Sequence, residues 1–299
     1  MASRLGSLHR QVARKPLAGL SAIVTGSTSG IGLGIAQCLA MEGVSVVMNG
    51  LGKEEDINAA VASVRERAAA FDQFAAKNEI TVPGPTVVTS HGANLMKITE
   101  MKQLVSFARS QDAFGKHHDG KIDILVNNAG IQHVAPIDDF TSKAWDRVIS
   151  LNLSSVFHMT RLVLPSMKEN KFGRIINIAS VHGLVASTNK SAYVAAKHGV
   201  VGLTKVTALE TATETNLTCN AVCPAWVLTP LVEAQVHARA KEEGISVDEA
   251  KGLLIGEKMP TKDFVAAEEI GRACAYFCDP ENKGSTGTIL TVDGGWISQ

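Results

Sequence analysis

The sequence has no excess of charge of either sign. Its 29 Lys and Arg balance 29 Asp and Glu, so no global field draws the chain to nucleic acid or to an anionic membrane surface, and an anionic substrate must be captured by local groups. No apolar run approaches the ~18 residues a membrane span requires, so no membrane partner is expected. Cysteine is sparse and unpaired. The five residues Cys38, Cys219, Cys223, Cys274 and Cys278 show no zinc-like spacing; Cys274 and Cys278, four apart in a helical stretch, read as core packing, which suits a reducing compartment. The first 19 residues lack any acid while carrying Arg4, His9, Arg10, Arg14 and Lys15. Residues 1–17 are therefore expected to be a basic extension ahead of a folded domain over 18–299. A cytoplasmic location is the main expectation, with import into the mitochondrial matrix through that segment as the alternative. No Pro/Gly/Ser linker, composition shift or internal repeat divides the chain, so one domain is expected despite its 299 residues.

What is present is an ordinary globular balance of 45% apolar and 19% charged residues. Short apolar runs predict strands over 21–25, 44–48, 86–89, 122–126, 174–178, 217–222 and 288–292. Apolar spacing predicts helices over 31–41, 53–78, 96–114, 145–167 and 192–214. Strands of about five residues alternating with longer helices indicate βαβ units and a parallel sheet. Because the strands are continuously apolar rather than alternating, both faces of that sheet should be covered.

The first strand runs into TGSTSGIG, with Gly26, Gly30 and Gly32. Such a turn needs permissive backbone angles, and only glycine lets the main chain approach a pyrophosphate closely. The helix that follows presents free N–H groups and a partial positive charge to the phosphates. After the second strand the residues are Asn49-Gly50-Leu51-Gly52, without the acid that often holds adenosine ribose hydroxyls and without an arginine for a 2′-phosphate. Lys53, followed by Glu54, Glu55 and Asp56, reads as a solvated helix start. His117 and His118, in the polar KHHDG turn, and His133 are likewise expected to face solvent.

Ser180, Tyr193 and Lys197 form the most informative set. Tyr193 and Lys197 stand four apart on a predicted helix and so share a face. An ammonium there favours the phenolate and lowers the tyrosine pKa from about 10, making Tyr193 usable as acid or base near neutral pH. Ser180, just beyond a strand, can hydrogen-bond the reacting oxygen.

Taken in order, TGSTSGIG, Asn127–Gly130 (NNAG), Asn152, Ser180 and Tyr193–Lys197 (YVAAK) resemble the short-chain dehydrogenase/reductase family over roughly residues 18–299. The resemblance implies an α/β fold: a single Rossmann-like, doubly wound domain with a parallel sheet flanked by helices, a helical substrate lid over 231–258, and a homotetramer. It also implies Tyr193 as proton donor and acceptor, Lys197 as ribose ligand and pKa modifier, Ser180 orienting the substrate, and Asn152 holding a relay water. Longer stretches, GIQHVAPIDDF (130–140), SVHGLVAS (180–187), NKSAYVAAKHGVVGLTK (189–205), CPAWVLTPLV (223–232) and VDGGW (292–296), are similar to the bacterial-type D-3-hydroxybutyrate dehydrogenases within that family.

That similarity implies NAD as cofactor, bound by Gly26, Thr28, Gly30, Ile31, Gly32, Leu51, Asn94, Leu95, Asn128, Ala129, Gly130, Tyr193, Lys197, Pro224, Val227 and Thr229. It implies a small hydroxy or keto acid bound through Gln132, Ser180, His182, Lys190, Tyr193 and Gln235, with Trp226 and Trp296 at its methyl end. The expected reaction is reversible NAD-dependent oxidation of (R)-3-hydroxybutyrate to acetoacetate. The alternatives are another member of the family, such as a 3-oxoacyl thioester reductase, or a nucleotide-sensing protein without turnover, which the intact Ser180–Tyr193–Lys197 set argues against. No nucleic acid, membrane or metal is implied. The sequence departs from the family at Asn94, where an aspartate is common, at Ala225, where glycine is usual, and in a 53–90 segment of extra length, expected as surface helix.

Overall fold

The computed structural model describes residues 15–214 and 216–298. Most of the basic N-terminal segment, residues 1–14, lies outside the described residues. Leu17, by contrast, is buried in the core and Lys15 pairs with Glu42 at 3.0 Å, so the folded body already includes residues 15–17.

The chain alternates strands and helices: β1 (Ser21–Val24), α1 (Gly30–Met41), β2 (Ser45–Asn49), α2 (Glu54–Lys77), β3 (Val88–His91), α3 (Ile98–Ala108), β4 (Ile124–Asn127), α4 (Ser142–Ile149), α5 (Ser155–Glu169), β5 (Gly173–Ile178), α6 (Ser191–Thr211), β6 (Leu217–Pro224), α7 (Pro230–Glu243), α8 (Val247–Gly256), α9 (Ala267–Cys278) and β7 (Ile289–Val292). The strands form one sheet in the order β3-β2-β1-β4-β5-β6-β7, every pair parallel. β1, β2, β4, β5 and β6 are buried along their whole length. The period of two explains why: Ala22 and Val24 join a cluster with Leu39, Val64 and Phe277 on one face, while Ile23 joins Leu104, Met159 and Val163 on the other. The order reverses between β1 and β4, and ligands bind at the carboxyl ends of such a switch point. Among the described residues no helix is long and apolar enough to cross a membrane.

Two predicted helices are broken. The one expected over 96–114 stops at Ala108 and resumes only as a single turn, Gln111–Phe114. The Ser110 hydroxyl donates to the Phe107 carbonyl at 2.7 Å, a local bond that competes with the helical ladder. The one expected over 145–167 is interrupted by a π-helical segment, Ser150–Ser154; the Ser155 hydroxyl donates to the Leu151 carbonyl at 2.5 Å, and the widened turn carries Asn152. The long 53–90 segment is anchored rather than merely appended. Phe71 of α2 packs against the Cα of Gly43, so closely that a Cβ there would lie 2.4 Å from the ring. Asp72 accepts the Thr86 hydroxyl at 2.8 Å.

His118 is buried, not solvated. Its Nε2 lies 3.0 Å from the Ser45 hydroxyl, which also accepts the Val87 N–H. Burial and neighbouring His117 push its pKa down to about 4. A base whose folded pKa is depressed contributes its stability fully above the unfolded value near 6.5 and loses it as pH falls toward 4. Between pH 7 and 4 the wild type should therefore lose up to about 3 kcal/mol more than His118→Gln, which cannot titrate. Denaturant unfolding across that range measures it; parallel pH profiles for the two proteins would contradict it.

Candidate active site

The glycine turn after β1 is tied to the loop after β4. The Thr25 hydroxyl accepts the N–H groups of Asn128 (2.9 Å) and Ala129 (3.1 Å), and the Asn128 amide donates to the carbonyls of Thr25 and Gly26, both at 2.9 Å. Ser27 N–H donates to Asn49 O at 2.7 Å, joining the end of β2. Gly26 (φ 60°) and Gly30 (φ 55°) occupy the left-handed region. A Cβ on Gly32 would stand 2.3 Å from the Gly26 carbonyl oxygen. The turn is therefore packed as tightly as backbone allows, at the N-terminus of α1.

Above it runs a cleft of about 510 Å³. Gly26, Thr28, Gly30 and Ile31 form its floor; Leu51, Asn94 and Leu95 line one end; Asn128, Ala129 and Gly130 form a wall; and Tyr193, Lys197 and Thr229 close the other end. A glycine cradle at a helix N-terminus, with no acid in the lining, fits the diphosphate of a dinucleotide. Gly32 does not line the cleft but supports the turn from beneath. Pro224 and Val227 line the adjoining cavity instead. Asn49 is structural, its amide donating to the carbonyls of His91 and Ala93. The Asn94 side chain caps its own loop, accepting Met96 N–H at 3.0 Å. The cleft also includes Arg147 and Leu151, which no sequence motif marks, the spacing of 147 and 151 being the only clue that they share a helical face; Leu231, from the CPAWVLTPLV stretch, lines it too.

Tyr193 and Lys197 lie one turn apart on α6. The Lys197 ammonium donates to the Ile178 carbonyl at 2.7 Å and sits 5.7 Å from the Tyr193 ring centroid. With the ammonium directed at Ile178, burial dominates: it raises the Tyr193 pKa, opposed by the Ser180 hydroxyl, and pushes Lys197 down to about 8. The lowering of the tyrosine expected from Lys197 is thus absent in this geometry. Asn152 makes a two-point bond to Ile131, accepting its N–H at 2.9 Å and donating to its carbonyl at 2.8 Å, so its side chain fixes the loop that Ile131 belongs to. Ser180 accepts His182 N–H at 3.2 Å and donates to Pro224 O at 3.5 Å.

Beside Tyr193 a second cavity of about 80 Å³ opens, space for roughly six water-sized groups at ~10–15 Å³ each. Gln132, Ser180, His182 and Lys190 line it, as do Tyr193, Trp226, Gln235 and Trp296; Ala225 lines it too, its N–H bonded to Val292 O. No Asp or Glu does. Its polar atoms are short of acceptors. Gln132 Nε2, Trp226 Nε1 and His182 Nε2 are buried without a partner. Lys190 is 8% exposed, its ammonium 4.7 Å from the Trp226 ring centroid, and burial pushes its pKa down to about 8. Burial, then Lys190, pushes His182 down to about 4, so this histidine is neutral near pH 7 and adds no charge. The rings of Trp226 and Trp296 stand 5.9 Å apart, and His182 is 5.4 Å from Trp296. His133, expected in solvent, is exposed and packs edge-on against Phe140.

The predicted lid comprises α7 and α8, with Val232, Val236, Ala240 and Ala250 as a small core of their own. Arg239 binds both helix ends, to Glu243 at 2.8 Å and Glu257 at 2.6 Å. Gln235 Nε2 of α7 donates to Gln132 Oε1 at 3.2 Å.

The family model for short chain dehydrogenases matches residues 21–240. The D-beta-hydroxybutyrate dehydrogenase of Cupriavidus necator is 50% identical over 284 residues, covering 95% of this chain and 100% of the relative. The enzyme of the same name from Rhizobium meliloti is 43% identical, covering 93% and 99%. A 3-oxoacyl-[acyl-carrier-protein] reductase of Thermotoga maritima is 30% identical, covering 94% and 99%. Among solved structures, a variant of actinorhodin polyketide ketoreductase with NADPH superposes with a TM-score of 0.81 at 32% identity, covering 94% of this chain and 98% of that one.

The geometry of the turn sets a direct test. Gly32→Ala drives a methyl into the Gly26 carbonyl and the Asn128 amide, so it should weaken binding of a reduced dinucleotide at least ~10-fold, about 1.4 kcal/mol. Fluorescence titration measures this; unchanged affinity in a folded variant would show that the turn does not hold the ligand.

Proposed function

The chain belongs to the short chain dehydrogenase family, and from that premise we propose that it interconverts (R)-3-hydroxybutyrate and acetoacetate with NAD. The observation that carries this reading is the 80 Å³ cavity beside Tyr193, rich in unsatisfied donors, holding Lys190 and free of acid. With the Lys190 ammonium beside them, a small anion satisfies such a lining best. The two relatives named D-beta-hydroxybutyrate dehydrogenase support the same substrate.

In the 510 Å³ cleft, Gly26–Gly30 would hold the phosphates of NAD, and Tyr193 and Thr229 would line its nicotinamide end. When bound, it supplies the hydride acceptor for alcohol oxidation. The chain does the rest. Lys190, Gln132 and His182 orient the carboxylate, Gln235 extends the donor set from the lid, and Trp226 with Trp296 limits the other end of the acid. Ser180 hydrogen-bonds the hydroxyl, and Tyr193 takes its proton. Lys197 contributes a ribose contact and an ammonium that favours the phenolate form of Tyr193, the form able to accept that proton. Asn152 supports the loop that positions these groups. The NAD preference rests on Asn49–Gly52, which offers no cation to a 2′-phosphate. Free, buried thiols at Cys219, Cys223, Cys274 and Cys278 accord with a cytoplasmic enzyme. Exposed Phe157 on α5 and Val206 and Leu209 on α6 accord with a homotetramer.

The deciding experiment is an initial-rate assay with both enantiomers of 3-hydroxybutyrate and with the methyl ester, each with NAD and NADP. The (R)-acid with NAD should be the best pair; preference for the ester or for a long acyl thioester would replace this reading with a 3-oxoacyl reductase. Tyr193→Phe should lower kcat by ~10²–10⁴-fold with NAD affinity retained, and retention of more than about a tenth of the rate would overturn Tyr193 as the proton acceptor. Since a hydrogen bond to a charged group contributes roughly 1.5–3 kcal/mol, Lys190→Ala should reduce kcat/KM for the acid ~10–150-fold. It should affect the ester far less; equal losses on both substrates would refute carboxylate capture.

A further inference from the structure

One wall of the 80 Å³ cavity stands on the last turn of the described chain. Trp296 lines that cavity, 5.9 Å from the Trp226 ring and 5.4 Å from His182. Trp226 belongs to a pinned stretch: its carbonyl accepts Val265 N–H at 2.9 Å, and Val227 bridges to Val265. Trp296 is held differently. β7 ends at Val292, and a 3-10 turn, Trp296–Ser298, follows a glycine pair. Gly294 (φ 58°) and Gly295 (φ 85°) both occupy the left-handed region. The backbone leading to Trp296 therefore has little stiffness of its own.

Asp293 supplies what the glycines lack. Its carbonyl accepts Trp296 N–H at 3.1 Å. Its carboxylate accepts Gly295 N–H at 3.2 Å on one oxygen and Ile297 N–H at 3.0 Å on the other. Three successive N–H groups centred on Trp296 are thus held by one residue, itself buried, and bonds to a carboxylate are stronger than neutral ones. Thr261 N–H donates to Gly294 O at 3.2 Å, which seats the start of the turn. Beyond Gly294, among the described residues, the main chain bonds only to Asp293 and, from Ser298 N–H, to Gly295 O. We propose that Asp293 is a positioning residue for substrate selectivity: its carboxylate fixes the last turn so that Trp296 closes the cavity and limits the length of the acid. This inference rests on the reading of that cavity as the site of a short hydroxy acid.

The test compares kcat/KM for (R)-3-hydroxybutyrate and (R)-3-hydroxyhexanoate with NAD. A pocket distinguishes a single methylene by ~10–200-fold, so the wild type should prefer the shorter acid by at least ~10-fold. Trp296→Ala should erase most of that preference. Asp293→Asn serves one N–H with its single acceptor oxygen and turns an NH2 toward the other. It should reduce the preference at least ~5-fold, and reduce it no further in a Trp296→Ala background. Near-UV circular dichroism reads the turn without substrate. The signal of the indole pair, taken as the difference between wild type and Trp296→Ala, should shrink in Asp293→Asn while NADH affinity is retained. Should that variant fail to fold, Gly295→Ala keeps the carboxylate but strains the turn at φ 85°, and it should change preference and dichroism in the same direction. An unchanged preference or unchanged dichroism in the folded variant, equal losses on both acids, or a further relaxation in the double variant would overturn the proposal. If Trp296→Ala itself leaves the preference untouched, the short-acid reading of the cavity falls and this inference with it. Relaxation by Trp296→Ala with none by Asp293→Asn removes this inference alone.

Discussion

Everything at the carboxyl edge of the sheet depends on the junction of Thr25, Gly26 and Asn128. One hydroxyl and one amide take up the backbone groups that a turn between β1 and α1, and another after β4, would otherwise leave unpaired. Because both turns are fixed to each other at the switch point, the cleft between them has a defined width. The start of α1, at Gly30 and Ile31, then lines the cleft. Asn152 extends the same principle one layer outward by pinning Ile131. The loop it holds lies between the dinucleotide cleft, which Ile131 lines, and Gln132 in the substrate cavity.

The second theme is burial without acceptors. A lysine at 8% exposure beside unpartnered Gln132, His182 and Trp226 is an unfavourable arrangement in isolation. It is retained where a ligand supplies what the protein withholds. On the proposed reading, selectivity follows from composition: a carboxylate would relieve the unsatisfied donors, a neutral ester would relieve them less, and the tryptophan pair would bound the length of the acid. Charge sits on Lys190 alone, because burial keeps His182 neutral near pH 7. On the proposed reading, a chain of zero net charge captures an anion through one small, local field.

The strands were legible because a sheet covered on both faces writes itself as continuous apolar runs, and the glycine turn because its spacing and place are both restrictive. The breaks at Arg109–Ser110 and at Ser150–Ser154 were not legible. Each turns on a serine hydroxyl bonding a nearby carbonyl, and apolar periodicity does not register that competition. Burial of His118 depends on Ser45, 73 residues away, so the polar sequence around it pointed outward. The Tyr193–Lys197 pair was readable as a face of one helix, but the raised tyrosine pKa follows from burial and from the Ile178 carbonyl that engages the ammonium.

On the proposed reading, Lys190, held near a pKa of 8 by burial, receives the carboxylate. An anion placed against it restores the charged form, so binding must take up a proton wherever the free lysine is partly neutral. Calorimetric titration of acetoacetate into the NAD-saturated protein at about pH 8.5, in two buffers of different ionisation heat, reads that proton directly. The account predicts net uptake that disappears in Lys190→Ala. Binding of acetoacetate with no proton taken up, or with the same uptake in the variant, would contradict it.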